Sequence, residues 1–99
     1  MSVTITIHPF RMGTDEEAAL KPLEEASEVH GAWQMQGRYT NDGMPKTWFA
    51  DEIADCVTAC VNLADRYHVD LQAALDRVEV RNRERGRYPM AGEVSDGRP

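Results

Sequence analysis

The sequence predicts an all-α fold, an oligomeric helical bundle with about three main helices per chain and a short N-terminal extended segment or strand. Three stretches carry apolar residues at helical spacing, over about residues 14–36, 48–67 and 71–85. Turn-forming residues separate the first two stretches, with the tripeptide Asn41-Asp42-Gly43 at their centre. A chain of 99 residues corresponds to one domain, with a thin core that pairing with a second copy would complete.

The single domain, residues 1–99, is expected to consist of an arm at 1–12, a helical core at 14–86 and a tail at 87–99. In the arm, Val3, Ile5 and Ile7 alternate with threonines, a period of two that is typical of a short strand. His8-Pro9 ends this pattern, and the chain offers no recognisable partner strand. The segment is therefore either an extended arm or a strand that pairs with another subunit.

The first predicted helix starts at Thr14, an N-cap residue followed by three acidic residues that suit the helix dipole. Pro22 lies inside it, so the helix either kinks or restarts there. One stripe is largely apolar and is expected to pack in the core or against another subunit. It consists of Ala19, Leu23, Ala26, Val29, His30 and Trp33. Glu25, Glu28 and Ala32 share the roughly opposite face.

The second helix follows Thr47, another candidate N-cap. Its apolar residues cover nearly half of its circumference, so it is expected to be the most buried helix. One edge of that apolar sector carries Glu52, Asp55, Ala59 and Asn62. The third helix follows Asp70 as N-cap and stops before Gly86, a residue that favours the left-handed conformation found after helix ends.

Composition excludes several classes of protein. The net charge of -6 disfavours non-specific binding to a nucleic-acid polymer, which needs clustered cations. No run approaches the length of a membrane span, and the N-terminus lacks the features of a signal peptide. Cys56 and Cys60 stand four apart on a helix, a poor geometry for a disulfide, and two reduced thiols suggest the cytoplasm.

Two acidic signatures carry the chemistry: Glu24-Glu25-Ala26-Ser27-Glu28 on the first helix and Glu52-Ile53-Ala54-Asp55 on the second. Carboxylates three residues apart lie on one face of a helix. Four carboxylates brought together would repel one another unless a cation, most simply a hard divalent ion, lay between them. The alternative is two amphipathic helices with solvated acidic faces, which periodicity leaves open.

The two signatures resemble the EExxE and ExxD motifs of the MazG-like all-α nucleoside triphosphate pyrophosphohydrolases, over about residues 14–88. The resemblance implies hydrolysis of a (d)NTP to the (d)NMP and pyrophosphate. It also implies a homodimer or homotetramer and a Mg²⁺ ion, which Mn²⁺ could replace. The implied catalytic and metal-binding residues are Glu25, Glu28, Glu52 and Asp55. The strand-like arm and Pro9 depart from the family pattern, since many members have a helix there.

Basic, amide and aromatic side chains are candidates for binding the nucleotide substrate. Those named here are Asn82, Arg81, Arg85, Lys46 and Trp48, with Arg38 as a further basic residue of the loop. Asn82 and the two arginines also resemble the phosphate-contacting helix of the family. For any one cation, ordinary solubilising charge is the alternative. Trp48 could stack on a base, whereas Trp33 is expected in the core or an interface.

Two other functions compete with this interpretation. Within the same chemistry, the chain could be a phosphoribosyl-ATP pyrophosphohydrolase, a similarly small enzyme with a related acidic pattern. Outside that chemistry, it could be a non-catalytic helical module that dimerises and binds a partner. Release of pyrophosphate from a panel of nucleotides, with and without Mg²⁺, separates the three.

Overall fold

The computed structural model describes residues 2–35 and 47–88, and these contain three helices. The helices are α1 (Asp15–Met35), α2 (Trp48–Arg66) and α3 (Leu71–Glu84). They confirm the all-α prediction, with bounds close to the expected ones. The chain divides into two compact units, Met1–Val69 and Asp70–Pro99. The assignment of residues 1–99 to a single domain stays a prediction.

The arm at residues 2–12 has no regular secondary structure, so the strand expected at residues 3–7 does not form within the described chain. A strand needs a hydrogen-bonded neighbour, and residues 2–35 and 47–88 supply no other strand to pair with it. The end of the arm is instead tied to α2, since the Phe10 backbone N–H donates to the Asn62 side-chain oxygen at 2.9 Å. The arm is thus an attached segment of the first unit.

A glycine turns the arm into α1. Gly13 has a φ of +72°, a conformation that is costly for other residues. A Cβ atom there would also lie 2.9 Å from a side-chain oxygen of Glu17. Thr14 and Glu17 form a capping box, in which the Thr14 N–H donates to the Glu17 carboxylate and the Glu17 N–H donates to the Thr14 hydroxyl, both at 3.2 Å. The predicted N-cap at Thr14 is therefore confirmed, and α1 continues through Pro22 without interruption.

The other helix ends agree with the sequence in all but one case. Asp70 caps α3 by accepting from the Ala73 N–H at 3.0 Å. Gly86, with a φ of +70°, ends α3, and its N–H donates to the Arg83 carbonyl. Thr47 precedes α2 but makes no side-chain capping bond, because its backbone is already helical, with φ -88° and ψ -2°, and its hydroxyl donates to the Asp51 carboxylate. The prediction of Thr47 as a side-chain cap is wrong for this reason.

Helices α1 and α2 pack as an antiparallel hairpin. Its register is fixed by two distant contacts: Arg66 with Asp15 at 2.6 Å, and the Cys56 thiol with the Pro22 carbonyl at 4.0 Å. On each helix the inward residues are spaced alternately three and four apart, as in a packed helix pair. On α1 these are Ala18, Pro22, Glu25, Val29 and Ala32. On α2 the same spacing defines the face with Trp48, Glu52, Asp55, Ala59, Asn62 and Arg66, of which Ala59 is buried and Asp55 is exposed. The seam of the hairpin therefore carries most of the acidic signatures.

Apart from half-buried Val29, the apolar stripe predicted for α1 faces away from this seam. Leu23 is 69% exposed and Trp33 57% exposed, whereas Glu25 is buried and Ala32 is fully buried. Of the two alternatives for the stripe, packing in the core of the chain is wrong, and His30 is not packed there, since it is exposed. Packing of the stripe against another subunit stays a prediction. The physical reason is that small Ala32 and Ala59 let the helices approach along the polar seam, leaving the larger apolar side chains outside.

Helix α2 is also less buried than its composition predicts. Ala59 is its one buried residue, and Ile53 on its apolar side is 42% exposed. Cys56 and Cys60 carry free thiols, as expected, and burial raises the pKa of the Cys56 thiol. Among the described residues, no helix is both long and apolar enough to cross a membrane.

Candidate metal centre and adjoining cleft

The hairpin brings together three carboxylates from the two acidic signatures. Glu25 on α1 and Glu52 and Asp55 on α2 each offer one oxygen, and these oxygens all lie within 4.8 Å of one another. The antiparallel register accounts for the meeting, because Glu25 and Asp55 both lie near the middle of their helices. We call Glu25, Glu52 and Asp55 the carboxylate cluster.

Two oxygens of the carboxylate cluster are buried without a hydrogen-bond partner. They are Oε2 of Glu25 and Oε2 of Glu52. The Glu25 residue is only 8% exposed. Because a buried carboxylate oxygen without a partner is costly, nearly all such groups in proteins are satisfied. The two oxygens therefore need a hydrogen-bond donor or a cation to satisfy them.

The other oxygens of the same two side chains have protein partners. Lys21, one turn before Glu25, places its Nζ 3.3 Å from Glu25 Oε1 and 3.6 Å from Glu24. The hydrogen bond and the negative charge of Glu25 raise the pKa of Lys21 above its ordinary value. Trp48 donates its indole N–H to Glu52 Oε1 at 3.2 Å. Lys21 and Trp48 thus orient the two glutamates without satisfying their inner oxygens.

Glu28, the last acidic residue of the first signature, lies beside the carboxylate cluster but is not one of its three members. A hydrogen bond shared with Glu25 and the charge of Glu25, followed by burial and then Glu52, raise the pKa of the Glu28 carboxyl. Glu28 is exposed to solvent, unlike Glu25. All four predicted carboxylates are therefore neighbours, with three arranged as candidate ligands and one at the solvent edge.

The carboxylate cluster fits a hard divalent cation. Mg²⁺ binds oxygen at about 2.1 Å in octahedral geometry, so neighbouring ligand oxygens on one side of the ion lie about 3 Å apart. The three carboxylate oxygens lie within 4.8 Å of one another, and side-chain rotation, which exposed Asp55 allows, would bring them to that spacing. Mg²⁺ usually keeps several waters and takes few carboxylates, which three ligands on one side allow. The buried oxygens and the all-oxygen donor set are the observations that favour such an ion.

A cleft of about 410 Å³ runs from the carboxylate cluster along the hairpin seam. Such a volume lies within the range of small-molecule sites. Glu25 and Asp55 line one end of the cleft. Its floor includes Ala18, Lys21, Ala59 and Asn62, and its far end is formed by the arm residues Phe10, Arg11, Met12 and Gly13. The carboxylates therefore open onto a space large enough for a bound molecule.

The predicted substrate-binding residues lie in different parts of the chain. Trp48 is half-buried and uses its N–H on Glu52. Lys46 and Arg38 lie outside the described residues. Arg81, Asn82 and Arg85 belong to the end of α3 in the second unit, where the Asn82 side-chain oxygen accepts from Arg87 at 2.8 Å. Contact of any of these residues with a substrate stays a prediction.

Sequence reasoning missed several residues that line the cleft. Lys21 could have been found, since it lies four residues before Glu25 and so on the same face. Asn62 lies seven residues after Asp55 and so on the same face of α2, but this spacing alone did not mark it as a cleft residue. Phe10 and Arg11 carry no such signal, because their place depends on how the arm folds back on α2.

Comparison with known proteins gave no match to a family model, to a curated protein or to a solved structure. The two motifs and the geometry of the hairpin are therefore the features of the chain that bear on its function. In that geometry, residues from both signatures meet beside a cleft.

Proposed function

We propose that the protein is a Mg²⁺-dependent nucleoside triphosphate pyrophosphohydrolase that converts a (d)NTP to the (d)NMP and pyrophosphate. The observation that carries the proposal is the meeting of Glu25, Glu52 and Asp55 at one point, with two buried oxygens that lack partners. These residues come from the two motifs that resemble the MazG-like enzymes. The adjoining cleft supplies space for the nucleotide.

The carboxylate cluster would hold the ion, which neutralises phosphate charge and lowers the pKa of a bound water. Lys21 lies at the same end of the cleft and would pair with a phosphate oxygen. The water oxygen forms a bond to a phosphorus of the α–β bridge, and the bridging P–O bond breaks to release pyrophosphate and the monophosphate. Glu28, at the solvent edge with a raised pKa, is placed to accept the proton of the water.

The test is a pyrophosphate-release assay over the ribonucleoside and deoxyribonucleoside triphosphates, with Mg²⁺ and with chelator. We expect Mg²⁺-dependent release from at least one triphosphate. Release from phosphoribosyl-ATP alone would place the protein in the histidine-pathway reaction instead. No release from any substrate, together with a co-purifying protein partner, would identify a non-catalytic binding module and overturn the proposal.

We further propose that the enzyme is a homodimer or homotetramer. The support is the outer face of α1, defined by Leu20, Leu23, His30 and Trp33. All four residues are exposed, and the rings of His30 and Trp33 stack with centroids 5.7 Å apart. Contiguous exposed apolar surface is typical of an interface between subunits. Burying this face would cover the second side of α1, opposite the carboxylate cluster.

Replacing Leu23 by glutamate is expected to convert the oligomer to monomer, because it would bury a charge without a partner in the interface. Size-exclusion chromatography with light scattering measures the mass. Ala54→Glu, which adds the same charge at an exposed position of α2, is the matched control and should leave the mass unchanged. A wild-type protein that is monomeric at high micromolar concentration would contradict the oligomer.

A further inference from the structure

The cleft extends well beyond the residues that would bind phosphates. Its α2 wall runs from Asp55 to Arg66, eleven residues further along the helix, a distance of about 16 Å. The end with Glu25, Asp55 and Lys21 adjoins the carboxylate cluster. Towards the other end the charged lining residues Glu17 and Arg66 are already bonded, to Thr14 and Asp15 respectively, and small Ala18 and Ala59 leave space between the helices. This part of the cleft can take a flat group with an apolar face and polar edges.

The arm supplies the outer wall of the cleft at the end away from the carboxylate cluster. Phe10 and Met12 both line the cleft, yet they remain 52% and 74% exposed. An exposed aromatic side chain on the wall of a cleft is available for stacking with a ligand ring. Arg11 lies beside Phe10 and has no carboxylate partner among residues 2–35 and 47–88. Apolar and polar ligand contacts are thus offered by one short segment.

The wall is held in place by specific bonds rather than by chance contact. The Phe10 N–H donates to Asn62 at 2.9 Å, and the Arg66 guanidinium donates to the Gly13 carbonyl at 3.0 Å and to Asp15 at 2.6 Å. Arg66 is also tied to the arm by its own carbonyl, which accepts from Arg11 at 3.5 Å. Because these bonds connect the arm to α2 on both sides of Met12, the segment Phe10–Gly13 has a defined position over the cleft.

We propose that the segment Phe10–Gly13 is the base-recognition wall of the substrate site, with Phe10 stacking on the nucleobase of a nucleotide whose phosphates lie at the carboxylate cluster. This inference rests on the proposed function and identifies which residues would distinguish nucleotides from other phosphate compounds. A base has an apolar face for Phe10 and polar edges for Arg11 and Asn62. The wall thus makes the strand-like arm part of the site.

The test measures binding rather than turnover. Dissociation constants are determined by calorimetry with Mg²⁺ for α,β-methylene analogues of the four deoxynucleoside triphosphates and for inorganic triphosphate, which has no base. Phe10→Ala should weaken the preferred analogue about tenfold, since stacking on an aromatic side chain is lost. It should leave inorganic triphosphate unchanged. Val3→Ala, on the arm but outside the cleft lining, is the control and should change neither.

Gly13→Ala provides a second variant that touches no base. Its Cβ would meet Glu17 and its φ would be strained, so the arm should shift and nucleotide binding should weaken selectively as well. Equal effects of Phe10→Ala on nucleotides and inorganic triphosphate, or no effect, would overturn the inference while leaving hydrolysis intact. Selective loss of nucleotide binding in Phe10→Ala, together with no hydrolysis by the wild-type protein, would overturn only the proposed function. Absence of any nucleotide binding would overturn both.

Discussion

Replacing Glu25 by glutamine should reduce pyrophosphate release by about 100-fold or more, since even second-layer contacts to a metal typically contribute about 10- to 100-fold. Glu25 is the most buried member of the carboxylate cluster, and its Oε2 lacks a partner. Glutamine keeps the volume but removes the charge and can place an NH₂ group where an acceptor is needed. The measurement is kcat and KM for the preferred triphosphate at saturating Mg²⁺.

Glu16→Gln is the matched control, because it removes the same charge from an exposed position in the first turn of α1. We expect its kcat to equal that of the wild type. Circular dichroism should show the same helicity for both variants, so that loss of activity reports on the site. A Glu25→Gln protein with wild-type kcat would exclude the carboxylate cluster as the catalytic centre.

The sequence was sufficient for the helices and for the acidic residues of the candidate site, but not for the packing of α1. Capping chemistry at Thr14, Asp70 and Gly86 sets helix ends locally, which is why those bounds were predictable. The grouping of the carboxylates of each signature on one helix face was predictable too, because residues three apart in a helix share a face. The face of α1 that packs against α2 was not predictable. Hydrophobicity favoured the stripe with Leu23 and Trp33, whereas the structure packs Ala32 and Glu25.

This inversion has a physical basis. A hydrophobic stripe predicts which face will be covered in the assembled protein, but it does not specify by which partner. In α1, small residues at inward positions permit close approach to α2, while the large apolar residues remain for another surface. Glu25 is buried at the seam despite its charge, and such an exception to the burial rules is expected where a site is built. The arm was unpredictable because its position depends on Asn62 and Arg66, more than fifty residues away.

Mg²⁺ should stabilise the folded protein strongly. An ion at 100 times its Kd adds about 2.7 kcal/mol to the free energy of unfolding. For a domain of this size each kcal/mol corresponds to about 4–8 °C in Tm, so we expect a rise of about 10 °C or more. Asp55→Asn should lose most of this rise, since Asp55 is exposed and its replacement removes a ligand without disturbing the core. Asp65→Asn, exposed on the same helix, should retain it.

The pH dependence of the metal-free protein provides an independent check on the same carboxylates. Because Glu25 and Glu52 raise the pKa of Glu28, folding favours the neutral form of its carboxyl. The stability that the neutral Glu28 carboxyl contributes is fully present when the pH is below its ordinary pKa of 4.5. It is lost as the pH rises through the higher pKa of the folded state. Relative to Glu28→Gln, the wild type should therefore lose stability across this interval when measured by denaturant unfolding in chelator.

Mg²⁺ should reverse the sign of this difference. A bound cation favours the ionised carboxylate and so lowers the pKa of Glu28, which removes the stability lost on ionisation. With saturating Mg²⁺ the wild type should then be at least as stable as Glu28→Gln above that interval, whereas in chelator it should be the less stable of the two. A difference that is the same with and without the ion would show that the four carboxylates do not act together. Inversion of the sign would link the repulsion among them directly to the cation they bind.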